Sequence, residues 1–553
     1  MDAEMPSVKY EPTEEKEIGS TCFGMSQPAS FVGSSEPKID ERPDVCIANI
    51  SSGATSKTHS IINVGDPNND DPLLALKKKD KEVESQTSEI TNWWLVMPKS
   101  YTIAVIGAGV SGLCAAREIL REGHRVVVFE KSERIGGTWV YDPLTDSDSL
   151  FDSGIWRLEL SRQAVHGSLY SSLRTNLPRP LMGFSDYPFP SPEDCFSDAR
   201  AFPAHDEVLA FIEAFASDSG VLNVVRLGAV VVGVARVGNC KNKWTVEWRH
   251  VAQVPLTALE KEVFDAVVIC NGHHTQPRLA YIPGIEKWPG KQTHSHNYRN
   301  PEPFKDQVVV IIGRGSSSHD ISREVSKLAK EVHMASRATD FVLGKLNGHD
   351  NIWQHLMINH VQEDGLVTFD DGSTVVADVI LHCTGYDYSF PFLKGNEIVR
   401  IDDNRVEPLF KHIFPPHLAP WISFIGLPNK AIIFLMIELQ SRWVAKVLSG
   451  KATLPLEEDM IASVKERYVK MEEMQRPVHH THYIAPDEPE YLNWLASEVG
   501  LPPVEEWKQQ MYNSVMEYIK SHEDGFRDST DSSFWISKST DLVKQSVPVD
   551  ELS

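Results

Sequence analysis

A chain of 553 residues, 41% hydrophobic and 24% charged, has the make-up of a globular protein with room for roughly three to four domains. Its net charge of −23 sets aside nucleic acid and anionic membrane as main partners, because binding phosphates needs clustered Lys and Arg. The seven cysteines form no CxxC, so neither a redox dithiol nor a CxxC zinc site is expected, and the usage fits a reducing, cytoplasmic setting.

Residues 1–96 are rich in Ser, Pro, Asp, Glu, Lys and Asn and show no sustained period of two or 3.6. Such a segment buries too little apolar surface to offset ordering entropy, so it reads as a disordered extension. Its first residues contain neither an apolar signal core nor the Arg- and Ser-rich character of a transit peptide.

The pattern changes at Tyr101. Tyr101–Ile106 predicts a strand, Gly107-Ala-Gly-Val-Ser-Gly112 a tight loop, Leu113–Glu122 a helix closed by Gly123, and Arg125–Phe129 a second strand ending in Glu130. In this βαβ order Gly107 permits the turn, Gly109 lets backbone approach a pyrophosphate, and Gly112 allows close helix–strand packing. Glu130, 23 residues after Gly107, is placed to accept hydrogen bonds from ribose hydroxyls. Just beyond, the adjacent glycines of Gly136-Gly137-Thr138-Trp139 would let the backbone approach the same cofactor, FAD.

Between this unit and the next lie Gly228–Val237 and Lys243–His250, read as a meander, and the apolar strand of Phe264–His273. Val308–Ile312 then opens a second strand–loop–helix unit, with Gly313, Gly315 and Ser318 in the loop, a helix from about Asp320 to Ala329, and a strand over Glu331–Ala335. At the offset that gives Glu130 in the first unit, the second has Ser336 followed by Arg337. A carboxylate there would repel a 2′-phosphate, whereas a hydroxyl and a guanidinium would hold one, so this site reads as one for NADPH. Two such sites imply hydride transfer from NADPH to flavin and, without a redox dithiol, oxidase or monooxygenase chemistry.

Ala377–Tyr388 predicts a strand matching Phe264–His273, so the two bracket an inserted domain. The fold class is therefore α/β, with two Rossmann-like dinucleotide-binding domains, the NADPH domain inserted into a discontinuous FAD domain. The expected boundaries are 97–275 and 386–530 for the two parts of the FAD domain, the second including a helical C-terminal region, 276–385 for the NADPH domain, and 531–553 for a flexible tail. Trp421–Leu448 is the most apolar stretch, but charged residues and Pro428 interrupt it, so Ala431–Leu448 reads as a buried helix and not a membrane span.

Trp288, Gly290, His294 and Tyr298 fall on the pattern FxGxxxHxxx(Y/F), with Trp for the leading Phe. On these residues the chain resembles the flavin-containing monooxygenases. Baeyer–Villiger enzymes continue that pattern to Trp-Pro, where this sequence has Arg299. Cys383-Thr384-Gly385-Tyr386 resembles the family's (A/C)TGY hinge, with Thr384 and Gly385 as cofactor-binding candidates. Ser172–Pro178, Cys270–His273 and His294–Arg299 resemble the plant branch, which includes oxygenases acting on the sulfur of methylthioalkyl glucosinolates.

The resemblance implies that NADPH reduces FAD, that a C4a-hydroperoxyflavin forms with O2, and that a soft nucleophile such as a thioether attacks it without a protein base. It also implies that Asn176 lies beside flavin and nicotinamide, as the candidate catalytic residue. An N-hydroxylase, an NADPH oxidase releasing H2O2 and an inactive binding protein remain alternatives. The expected partners are a small-molecule substrate and O2; oligomeric state is not legible. The histidines have no metal-ligand spacing and read as structural, and His319 departs from the family's usual residue.

Overall fold

The computed structural model describes residues 100–143, 167–191, 198–238, 240, 242–251, 259–394, 397–521, 524–529 and 535. The readings of 1–96 as disordered and of most of 531–553 as a flexible tail lie outside these residues. Within the latter range Trp535 is buried, edge-on to Phe202.

The elements that position the site are, in chain order, β1 (Thr102–Ile106), α1 (Val110–Arg121), β2 (Arg125–Phe129), α2 (His205–Asp218), β3 (Val225–Arg226), β4 (Ala266–Ile269), β5 (Gln276–Pro277), β6 (Lys291–His294), β7 (Val308–Ile312), α3 (Ser316–Val325), β8 (Glu331–Ser336), β9 (Ile352–Leu356), β10 (Val379–His382), β11 (Tyr386–Asp387), β12 (Ile422–Phe424) and α4 (Ile433–Leu448). The first sheet runs β12-β4-β1-β2-β3 and is parallel throughout. The second runs Gly344–Lys345, β9, β8, β7, β10, β6, parallel except for that short first edge strand. In each, the strand that leads into the glycine loop, β1 or β7, lies inside the sheet, where strand order reverses. In α/β sheets, ligands bind at the carboxyl ends of the strands at this point.

Parallel strands covered on both faces need apolar side chains at every position. In β1, Ile103 and Val105 join α1 and α4 residues such as Leu113, Cys114, Met436 and Trp443 in one core. Ala104 and Ile106 point the other way, into a core with Phe129, Trp244, Trp248 and Phe424. β7 repeats the arrangement: Val309 and Ile311 meet Ile321 and Val325 of α3, while Val308, Val310 and Ile312 meet Ile282, Trp288 and Phe369. Each fully buried Val or Ile contributes roughly 1.5–3 kcal/mol relative to exposure. The glycine loops thus follow strands that are buried at all or all but one of their positions.

Two chain crossings join the sheets. β5 leaves the first domain and β11 returns to it, and they pair antiparallel with Tyr386 opposite Pro277 and Asp387 opposite Gln276. β12, far along the sequence, completes the first sheet beside β4. The insertion of one domain into a discontinuous other, read from the sequence, is therefore the observed fold.

Local differences are few. The meander has a third strand, Glu260–Phe264, in which only Phe264 is buried, so it carries no apolar alternation to read. α3 starts at Ser316 rather than near Asp320 and ends at Val325. Ser316–Ser318 read as loop, yet they form the first turn of the helix, and Ser318 is fully buried there.

Candidate functional site: two nucleotide cradles and the crossing between them

In the first cradle Gly107 has φ +104°, and a Cβ on it would sit 2.5 Å from the Cys270 carbonyl oxygen just past β4. Gly112 is tighter, since a Cβ there would meet the Gly107 carbonyl oxygen at 1.8 Å. The loop therefore closes only with glycine at both places. α1 begins directly after Gly109, with no side-chain cap and no acid in its first turn. Its leading N–H groups and helix dipole are left for an anion. The second glycine loop abuts the first: Gly136 N–H donates to the Ala108 carbonyl at 3.0 Å, and Gly137 lies against Gly109. Thr138 and Trp139 continue it as a short 3-10 turn.

Glu130 is buried at the end of β2 and fixed by two backbone donors, Ala108 N–H at 2.7 Å and Ser132 N–H at 2.8 Å. Each bond takes a different carboxylate oxygen. A carboxylate offers about four acceptor sites, so two remain for a ribose diol.

The second cradle repeats this backbone. Gly313 has φ +124°, and a Cβ would lie 2.4 Å from the Cys383 carbonyl oxygen just past β10. α3 begins after Gly315, again with no side-chain cap and no acid in its first turn. A Cβ on Gly315 would meet nothing within 4 Å, so its face is open to a ligand. Ser318 stands where Gly112 does in the first unit, and its hydroxyl donates to the Gly315 carbonyl at 2.9 Å. At the end of β8, the Ser336 hydroxyl accepts from Ala338 N–H at 3.1 Å. Arg337 is exposed, with no carboxylate partner among the described residues.

Both cradles thus fit dinucleotides: each has a glycine turn with no room for a side chain and an uncapped helix start. They differ in the third element, a buried carboxylate in one and a hydroxyl with a guanidinium in the other.

The crossing between the domains is pinned by His294 at the end of β6. Its Nδ1 accepts from His296 N–H at 3.0 Å, which leaves the ring proton on Nε2 to donate to the Gly385 carbonyl at 3.1 Å. Burial lowers its pKa to about 3, so it serves as a neutral connector. Thr384 donates its hydroxyl to the Arg278 carbonyl on the other crossing strand, and Arg278 N–H donates to the Gly385 carbonyl at 3.0 Å. Thr384 and Gly385 thus sit in the hinge, beside Gly313. No group of His, Cys, Asp or Glu among the described residues suits a metal. Cys270 and Cys383 are free and buried, and desolvation holds both thiols well above their ordinary pKa. Neither supplies a thiolate for disulfide chemistry.

Asn176 lies in an exposed turn of the first domain, near α3 of the second. Its Oδ1 accepts from Arg527, which also pairs with Asp320 on α3. Arg527 and Asp320 were not legible in the sequence: they lie far from Asn176 in the chain, and neither belongs to a motif.

Two dinucleotide cradles on one double crossing, without an active thiol pair among the described residues, define a flavin- and nicotinamide-dependent oxidoreductase. Known proteins narrow the class. The model described as flavin-binding monooxygenase-like matches residues 100–363 and 355–507. Flavin-containing monooxygenase FMO GS-OX5 of Arabidopsis thaliana is 49% identical over 435 residues, which cover 78% of this chain and 92% of that protein. The structure of S-allyl-L-cysteine S-oxygenase from Allium sativum superposes with a TM-score of 0.74 at 47% identity, covering 81% of this chain and 99% of the other. Tmm from a Pelagibacter species, at 22% identity and a TM-score of 0.61, shares the fold over 76% of this chain and 90% of its own.

The chain belongs to the flavin-containing monooxygenase family. It is an FAD- and NADPH-dependent monooxygenase, related to the plant glucosinolate S-oxygenase branch. No helix among the described residues is long and apolar enough to cross a membrane.

Proposed function

We propose that this enzyme oxygenates a thioether sulfur, converting R–S–R′, NADPH, H+ and O2 into R–S(O)–R′, NADP+ and water. The sulfur assignment is carried by 47% identity, across four-fifths of the chain, to an enzyme whose name gives S-allyl-L-cysteine S-oxygenation. The GS-OX relatives support the same chemistry, with a methylthioalkyl glucosinolate-like molecule as one form of the substrate.

Bound FAD supplies the redox chemistry, accepting a hydride from NADPH and activating O2. Gly107, Gly109 and Gly112 with the start of α1 hold its pyrophosphate. Glu130 takes the ribose hydroxyls, and Gly136, Gly137, Thr138 and Trp139 line the side where backbone comes close. Gly313, Gly315 and Ser318 hold the NADPH pyrophosphate, while Ser336 and Arg337 bind its 2′-phosphate. Thr384 and Gly385 fix the hinge against the nicotinamide half. Asn176 directs its amide at the reacting groups. A sulfur lone pair is itself the nucleophile, so no side chain need remove a proton from the substrate. A reducing, cytoplasmic setting belongs to the same reading, since the four cysteines among the described residues are all free thiols.

The test is stoichiometry with purified holoenzyme and a panel of thioethers and amines. Close to one sulfoxide should form per NADPH oxidised. NADPH converted wholly to H2O2 with every thioether, or oxygenation of amines alone, would reject the proposal.

A further inference from the structure

The C-terminal segment Asp524–Ser529 makes charged contacts to both domains that nucleotide binding does not explain. Asp524 accepts from Arg323 of α3 at 3.0 Å and from His349 at 2.7 Å. Asp528 lies 2.9 Å from Arg200 and 3.5 Å from Arg174 in the first domain. Phe526 is buried edge-on against Phe202. Between these anchors Arg527, with its side chain only 11% exposed, spans the gap: one terminal nitrogen donates to Asp320 at 2.6 Å and the other to Asn176 Oδ1 at 2.7 Å. The second oxygen of Asp320 accepts from the Tyr170 hydroxyl at 2.8 Å.

We infer that Arg527 is a positioning residue for oxygen transfer, setting which end of the Asn176 amide faces the reacting groups. The inference rests on the proposed role of Asn176. An amide can flip by half a turn, exchanging an acceptor for a donor. A guanidinium only donates, so it accepts no orientation of Asn176 except oxygen toward Arg527. Both Nδ2 protons are then left for other acceptors. Asp320 holds the guanidinium from its far side, and a hydrogen bond to a charged group is roughly twice as strong as a neutral one. The amide is therefore oriented before any ligand binds, by a residue more than three hundred positions away in the sequence.

The test compares full-length holoenzymes carrying Asn176→Ala, Arg527→Ala, both together, and Asp524→Ala. Thioanisole serves as the thioether, and NADPH use, sulfoxide and H2O2 are measured. Asn176→Ala and Arg527→Ala should each raise the ratio of H2O2 to sulfoxide about tenfold, the scale of one hydrogen bond to a charged group. The double variant should be no worse than Asn176→Ala, because both remove the same interaction. Asp524→Ala loosens the segment without touching the amide and should match wild type.

A second readout needs no turnover: the change in the FAD absorption spectrum when NADP+ is added. Asn176→Ala and Arg527→Ala should alter it in the same way, and Asp524→Ala should leave it as in wild type. If Arg527→Ala does not fold, Arg527→Met with Asp320→Asn removes both charges together and takes its place. Wild-type coupling in the Arg527 variant, multiplied effects in the double variant, or equal uncoupling by Asp524→Ala would each overturn the inference while leaving Asn176 its role. Unchanged coupling in Asn176→Ala would remove both.

Discussion

The two nucleotide cradles share a backbone and differ at their ends. In each, a glycine with positive φ packs on the carbonyl of a cysteine that follows the neighbouring strand, Cys270 in one and Cys383 in the other. In each, a helix opens without a side-chain cap. The first closes with a buried glutamate locked by two backbone donors, the second with Ser336 and an exposed arginine. On the proposed reading, the shared part would bind what the two cofactors have in common, a pyrophosphate, and the differing part would separate a bare ribose from a phosphorylated one. The third loop position differs as well, being sterically closed at Gly112 and occupied by a side chain at Ser318.

The largest expected effect breaks the symmetry at that third position. Gly112→Ala drives a Cβ into the Gly107 carbonyl and should weaken FAD binding about a hundredfold or more, since backbone cannot yield there as a side chain would. The flavin-to-protein absorbance ratio of the purified variant reads it. Ser318→Ala should leave the KM for NADPH within about twofold, as it removes only a local hydroxyl bond. Equal tolerance of both changes would contradict the difference between the loops.

Next in size, Arg337→Ala should raise the KM for NADPH about 10- to 100-fold and leave the KM for NADH unchanged, the scale of a lost charged hydrogen bond. Comparable losses with both nucleotides would place the 2′-phosphate elsewhere. Glu130→Gln keeps the shape and removes the charge, and should weaken FAD about tenfold, read by fluorescence titration of apoprotein. An unchanged affinity would free the first cradle of its acid.

The smallest effect concerns pH. Burial lowers the pKa of His294 to about 3 and that of His382 to about 4. An unfolded histidine titrates near about 6.5. Above that pH both states are neutral there and these groups do not tilt the balance. Below it the unfolded chain takes up protons that the folded one refuses, so stability falls as pH drops from about 6.5 toward 4. The thermal midpoint should fall between pH 7 and 5, and less steeply in His382→Asn. Identical slopes in the two proteins would sink the assignment.

Much of this was legible in the sequence because it is local. Strand, glycine turn, helix and terminal acid all lie within one stretch from Tyr101 to Glu130, and the offset from Gly107 to Glu130 carries over to Gly313 and Ser336. The inserted domain was legible because two similar apolar strands flank it. The start of α3 was not, since serine on its own prefers loops. Nor was the Glu260–Phe264 strand, whose pairing comes from its neighbour and not from its own apolar pattern. The contact of Asn176 with Arg527 arises only when a late segment folds back over both domains, and no local spacing encodes that.

The paired crossing strands carry one more consequence. Entry to and exit from the inserted domain lie side by side, Pro277 opposite Tyr386, at the separation of neighbouring strands, about 5 Å. The nicotinamide module is therefore excisable in principle: a splice of a few residues across that gap would reconnect the outer sheet without moving its ends. In such a miniature, Gly107 would still find the Cys270 carbonyl to rest on, whereas Asp320 would depart with the excised piece and leave Arg527 without its counter-ion.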